Sequence, residues 1–267
     1  MNKKKYYLFL LLFSASVLQA EECEIQTDPF RLTLKHIESK GIGYPIGYTT
    51  MGVFYGSTEA WRDPWIPFLD LRGHLFNNGR SAINAGVGIR MIASRVWGAY
   101  GYYDYRRTFH THYDQISFGL ESLGRIWDFR LGAYIPFGIK VRKEDSALQT
   151  FTAEAAIHVN SFKRAPLYFA SGPYYLNNDG ISAWGMQLRG FVEMYKHIRL
   201  EANISYDHLF KWIGQGQLGI FFLFGGKKET RQKKNRSCET MNVLQQRALQ
   251  RIDRNEIIPL YRKKGIL

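Results

Sequence analysis

The chain has 267 residues, room for one large domain or two small ones, and its 15% aromatic content excludes a disordered protein. Its formal charge of +13 would suit a nucleic-acid binder, but the charge sits at the two ends. Residues 1–20 hold three lysines and no acid, residues 227–267 hold twelve Lys or Arg against four Asp or Glu, and the nearly neutral middle gives no reason to expect a nucleic-acid partner.

The first twenty residues have the form of a secretory signal: Lys3, Lys4 and Lys5, an apolar run from Tyr6 to Phe13, then small residues up to Ala20, after which cleavage is expected. That run is shorter than the ~20 residues a spanning helix needs. Nothing around Cys23 suggests lipid attachment. Cys23 and Cys238 are too few for a disulfide scaffold and too far apart for a metal pair, so they either bridge the ends of the exported chain or remain thiols. No later stretch approaches 18 consecutive apolar residues, which leaves a β-barrel as the only membrane-spanning form open to the chain.

After a short lead, residues 21–29, the chain reads as segments of about ten residues with period-two alternation, broken by Gly, Asn, Asp and charged residues. Phe30, Leu32 and Leu34 alternate with Arg31, Thr33 and Lys35 in a first strand over residues 30–37. Further strands are expected at about 47–55, 66–76, 81–92, 96–105, 113–123, 127–136, 148–159, 167–177, 183–195, 198–207 and 215–224, twelve in all, an even number as bacterial single-chain barrels have. Residues 81–91 are the clearest. Ile83, Ala85, Val87, Ile89 and Met91 share one face, while Ala82, Asn84, Gly86, Gly88 and Arg90 share the other.

Alternation alone suits a soluble sandwich as well as a membrane barrel. Segment length favours the barrel, because 9 to 11 residues cross a bilayer when tilted whereas soluble strands average five or six. Aromatics gather at segment ends, at Trp97, Tyr103, Tyr105, Trp127, Trp184, Tyr195, Tyr206 and Trp212, where interfacial girdles would lie. The polar faces carry both signs, Arg90, Glu121, Arg130, Glu154, Arg189, Glu193, Arg199 and Glu201, as a lumen laced by ion pairs would. With both ends periplasmic, the tight connections at 93–95, 124–126 and 196–197 fall inside and the longer ones at 106–112, 137–147 and 208–214 outside. The last strand ends on Leu218, Ile220, Phe222 and Phe224, the aromatic-terminated pattern that barrel-assembly machinery reads. Beyond it, residues 227–236 form a solvated basic run, and residues 239–258 have weak helical periodicity through Met241, Leu244, Ala248 and Ile252.

Four motifs, Asn84-Ala-Gly-Val-Gly-Ile-Arg90, Tyr102-Tyr-Asp-Tyr105, Ile116-Ser-Phe-Gly-Leu-Glu121 and Asp128-Phe-Arg-Leu-Gly-Ala-Tyr-Ile-Pro136, in this order and spacing resemble the inverse autotransporter β-domain of the intimin and invasin family. The match covers residues 47–138, and the later half agrees mainly in strand pattern. The resemblance implies a twelve-stranded outer-membrane barrel threaded by a linker that leads to a C-terminal adhesin. No immunoglobulin-like repeats follow Phe224 and no peptidoglycan-binding module precedes the barrel, so adhesion is not carried over. The tail, residues 226–267, would take the linker's place, with its basic residues meeting Glu121 and Glu201.

Chemistry-bearing constellations are sparse. His110, His112 and Asp114 would share a face on an extended strand and could meet a metal, but such a polar cluster more often forms a loop tip. Asp207 and His208 suggest an acid–histidine pair, though adjacent strand residues point oppositely. No nucleophile elbow, phosphate loop or paired-cysteine site occurs, so neither enzyme activity nor a cofactor or metal is expected. The expectation is an all-β, antiparallel transmembrane barrel with a short, basic, partly helical tail, partnered by outer-membrane lipid and assembled by the barrel machinery. A general porin and a soluble periplasmic β-sandwich are the alternatives.

Overall fold

The computed structural model describes residues 22–57, 65–109, 111–138, 145–159, 166–178, 180–194, 197–232 and 238–262. Its elements, in chain order, are β1 (Glu22–Thr27), β2 (Phe30–Glu38), β3 (Tyr48–Gly56), β4 (Trp65–Phe76), β5 (Ser81–Ile92), β6 (Val96–Arg107), β7 (His112–Leu123), β8 (Trp127–Phe137), β9 (Asp145–Ala147), β10 (Gln149–Val159), β11 (Leu167–Asn178), β12 (Ile181–Met194), β13 (Ile198–Asp207), β14 (Lys211–Phe224), β15 (Lys227–Gln232), α1 (Cys238–Ala248) and β16 (Leu260–Arg262). Twelve of the strands, β2 to β8 and β10 to β14, pair antiparallel with their neighbours and close when β14 pairs with β2 from Gly216↔Glu38 to Phe224↔Phe30. Closure abolishes the sheet edges and removes the soluble sandwich from consideration.

The alternation read from sequence sorts the side chains by direction. Along β4 the exposed residues Trp65, Leu69, Leu71 and Leu75 alternate with the buried Ile66, Phe68, Asp70, Arg72, His74 and Phe76. The polarity is that of a soluble protein turned inside out: Val87 is 62% and Leu131 54% exposed on the outer wall, while Asp70 and Arg90 inside are fully buried. Such a continuous apolar outer surface is matched to hydrocarbon and not to water. Leu131 lies midway along β8, so Leu131→Arg is expected to cost about 2–4 kcal/mol of folding free energy in lipid vesicles, read from urea titrations of refolding.

Exposed tryptophans and tyrosines of the outer wall lie toward the strand ends, whereas Phe118 is exposed midway along β7. Trp97 and Trp127 lie at the start of β6 and β8, at the barrel end that also holds both β1 and β15, and Trp65, not singled out from sequence, joins them. Trp184, Tyr206, Trp212 and Tyr103, with the less exposed Tyr105, lie toward the opposite end. Tyr195 lies outside the described residues.

Inside, large rings are accommodated by glycines directly across the ladder. Tyr102 faces Gly86, Tyr100 faces Gly119 and Tyr174 faces Gly185. A methyl group at any of these glycines would overlap the ring beside it.

Three expectations change. The connections at 106–112 and 208–214 shrink to residues 108–111 and 208–210, because β6, β7 and β14 run on past their predicted ends. In the second, Asp207 accepts the amides of Leu209 and Phe210, both at 2.7 Å, and Lys211 takes a left-handed φ of 60°, which turns the chain in three residues. The difference in connection length between the two ends is therefore smaller than predicted. The basic run is not wholly loose either, since β15 pairs along its length with β1 in the lead, from Glu22↔Gln232 to Thr27↔Lys227. Cys23 lies in β1 and Cys238 begins α1.

Candidate functional site

The lumen is occupied by the chain's own C-terminal segment. The helix α1 packs its last turns into the mouth at the β1–β15 end, where Leu244, Ala248 and Leu249 meet Ile66, Val96 and Leu123. Predicted helical periodicity extended to residue 258, but α1 stops at Ala248. Arg90 accounts for the stop: its Nη1 donates to the carbonyls of Ala248 (2.8 Å) and Gln250 (2.5 Å), cations being favoured where a helix leaves carbonyls unpaired.

From there residues 249–259 run without regular structure through the barrel, and alternating charges hold them. Arg247 donates to Asp128 and to the Tyr168 hydroxyl (2.7 Å). Arg251 reaches Asp70 at 3.3 Å. Asp253 accepts from Arg189 (2.9 Å) and Arg199 (3.2 Å). Arg254, its side chain fully buried, donates to both oxygens of Asp104 (2.8 and 2.6 Å) and to Ser117 (2.8 Å). Glu256 takes Lys35 at 2.5 Å and Arg72 at 2.6 Å.

Apolar residues interleave with these pairs. Ile252 packs among Phe54, Phe68, Tyr100 and Tyr102, and Ile257 among Ile37, Tyr48, Phe76 and Ala82. Wall side chains also bind the segment's backbone: Arg72 donates to the carbonyl of Ile252 (2.6 Å), Asn84 to that of Glu256 (2.9 Å) and Arg106 to that of Ile258. At the far end the amide of Leu148 donates to the carbonyl of Pro259 (2.9 Å), and β16 pairs with β9 in the β8–β10 connection. The segment thus crosses the whole lumen from the β1–β15 end to the opposite one.

The loop between β2 and β3 folds in beside it. Tyr44 accepts the Gln215 amide at 2.9 Å, and burial raises its phenol above the ordinary value while that hydrogen bond opposes the rise.

All eight ionisable residues singled out from sequence face inward. The structure joins them differently from the prediction. Glu121 takes Arg90 at 2.6 Å and Glu201 takes Arg199 at 2.6 Å, so neither receives a basic residue of the tail. Arg130 and Arg189 share Glu154, at 3.1 and 2.8 Å, and Glu193 stands 3.9 Å from Arg199. The acids that do receive the tail are Asp70, Asp104 and Asp128, and the tail's own acids, Asp253 and Glu256, were not anticipated as ligands of wall cations. Each charged pair is expensive to desolvate, so the network adds less net stability than the number of its pairs would suggest.

The remaining candidates resolve into local structure. His112 lies 3.7 Å from Asp114, His110 falls outside the described residues, and no metal-holding cluster occurs among the described residues. Asp207 points inward to the Tyr174 hydroxyl (2.6 Å) and His208 sits exposed in the turn, so the two do not form a catalytic pair.

No protein-family model and no curated protein matches the sequence. Solved structures do match. A membrane protein from work on the mechanism of in-meso crystallization superposes with a TM-score of 0.63 at 11% identity, over 87% of this chain and 100% of the other. The COG4313 outer-membrane channel from Pseudomonas putida F1 gives 0.51 at 10%, over 75% and 96%, and the KdgM porin in complex with disordered oligogalacturonate gives 0.50 at 7%, over 73% and 99%. At these identities the likeness speaks for the fold alone, and together with the closed twelve-stranded wall it makes this chain an outer-membrane β-barrel by architecture.

Proposed function

We propose that the protein is an outer-membrane barrel of translocator type that holds its own C-terminal segment, with the β1–β15 end in the periplasm and the β9–β16 end at the cell surface. The observation that carries this reading is the direction of threading: residues 249–262 enter beside the N-terminal lead and leave at the other end. A barrel that delivers a C-terminal extension outward needs that polarity. The motifs similar to the inverse autotransporter β-domain support the same reading, and export by a cleaved signal accords with it.

A general porin is less well supported, because the threaded segment, held by contacts such as Arg254–Asp104 and Glu256–Arg72, narrows the lumen along its length. An epitope appended after Leu267 is expected to bind antibody on intact cells, whereas the same epitope in the turn at residues 124–126 is expected to bind only after the outer membrane is permeabilised. The reverse pattern would overturn the assigned polarity.

A further inference from the structure

The threaded segment lies mainly against β4 to β8 and leaves space on the other side of the lumen. A cavity of about 180 Å³ lies between residues 250–257 and inner faces of β2, β8, β10, β12, β13 and β14. Seven basic and five acidic side chains line it, leaving an excess of positive charge. Six of the basic groups have a carboxylate: Lys35, Arg130, Arg189, Arg199, Arg251 and Arg254 all lie within 3.3 Å of one.

Arg31 is the seventh, and it has no carboxylate at ion-pair distance among the described residues. Its Nε is buried without a hydrogen-bond partner and its guanidinium lies over the Phe221 ring at 5.4 Å. Glu193 faces it from β12, while Arg251 on the segment, Arg199 on β13 and Arg90 on β5 add positive charge around it. Two residues along the same inward row, Thr33 is 1% exposed and its hydroxyl also has no partner.

Buried donors without partners are costly, as is a partly buried guanidinium with no carboxylate at ion-pair distance, and a tetrahedral oxyanion or carboxylate would relieve both at once. We propose that the cavity is an oxyanion site, in which Arg31 and Thr33 donate to one small phosphate-like or carboxylate-bearing ligand and Lys35, Arg199 and Arg251 supply the surrounding positive field. Residues i and i+2 on a strand lie about 7 Å apart, a span that a single oxyanion bridges between a long guanidinium and a short hydroxyl. Arg31 lies near the start of β2 and Glu193 near the end of β12, both toward the β1–β15 end of the lumen.

The test is calorimetric titration of the folded, full-length protein in detergent with inorganic phosphate, sulfate and chloride at matched ionic strength. Saturable binding of phosphate or sulfate is expected, with Arg31→Gln weakening it about ten-fold and Thr33→Val by a smaller factor. Arg95→Gln, at the rim where Arg95 donates to Ser122 at 2.7 Å, should bind as the parent does. Absence of saturable oxyanion binding, chloride competing as well as phosphate, or unchanged affinity in Arg31→Gln would each overturn the site. If Arg31→Gln loses its heat-modifiable mobility on gels, unchanged affinity in Thr33→Val overturns the site in its place. The measurement is indifferent to which end of the barrel faces the cell surface, so its failure and that of the translocator reading are separable.

Discussion

Removal of residues 227–267 is expected to raise single-channel conductance several-fold in planar bilayers, with the truncated protein still showing a heat-modifiable gel shift. The wall has no need of those residues for closure, because β14 already pairs with β2 along nine positions. What they supply is the filling: α1 seals one mouth, Ile252 and Ile257 occupy apolar pockets of the wall, and the Arg251–Glu256 stretch sits between the charged rows. Without them the lumen rehydrates, and the inward acids and bases of the wall, present in equal number on the barrel strands, face water and not one another. The emptied pore is therefore expected to discriminate poorly between cations and anions. Unchanged conductance would mean that ions already pass beside the segment.

Asp104→Asn is expected to release the segment from the wall while leaving the barrel closed. Asp104 accepts from Arg254 twice and also from Asn84 (2.8 Å), Gln115 (3.0 Å) and Ser117 (3.0 Å), and no other carboxylate pairs with Arg254 among the described residues. The guanidinium keeps only its faces on Tyr102 and Tyr134, at 4.1 and 5.2 Å from the ring centroids. Leaving a buried charge unpaired costs about 3–5 kcal/mol, enough to expel a segment held by a handful of such contacts. Trypsin should then cut at Arg254 in the folded barrel, where the parent resists. The double variant Asp104→Leu with Arg254→Met, which removes both charges and keeps the volume, should regain resistance at other sites of the segment. Equal protection in Asp104→Asn would show that the apolar anchors at Ile252 and Ile257 suffice.

The barrel was legible because strand alternation depends only on which side of the wall a residue faces. Leu69 and Leu71 against Asp70 and Arg72 carry the same signal as Ile83 and Val87 against Asn84 and Gly86. The start of β14 was missed because Lys211 and Gly214 have turn-forming composition, yet Gly214 faces outward across from Ile204 and the ladder runs straight through it. Asp104 escaped notice in a run where tyrosines occupy both faces: Tyr103 and Tyr105 point out, Tyr100 and Tyr102 in. The pairing of tail with wall was not legible. Six tail arginines and many wall acids permit many registers, and the choice is set by the shape of the lumen and by Arg90 ending α1 at Ala248, both of which exist only after the wall has formed. Predicted amphipathic periodicity past that point reflected alternating pockets of the wall and not a helix.

The grip on the segment bears on how the molecule comes together. Arg72, Asn84, Arg90, Asp104, Arg106 and Asp128 lie on strands from β4 to β8, Lys35, Arg189 and Arg199 add contacts from β2, β12 and β13, and the seam joins the strands most distant in sequence. Hairpins between neighbouring strands close short loops and the seam closes the longest one, so the seam is expected to shut last. An open, curved half-wall can therefore receive the segment sideways, and the later strands then wrap around an occupant already seated. Assembled in this order, the barrel never has to pass a chain end through a finished ring, and the occupant serves as the mandrel on which the ring is wound.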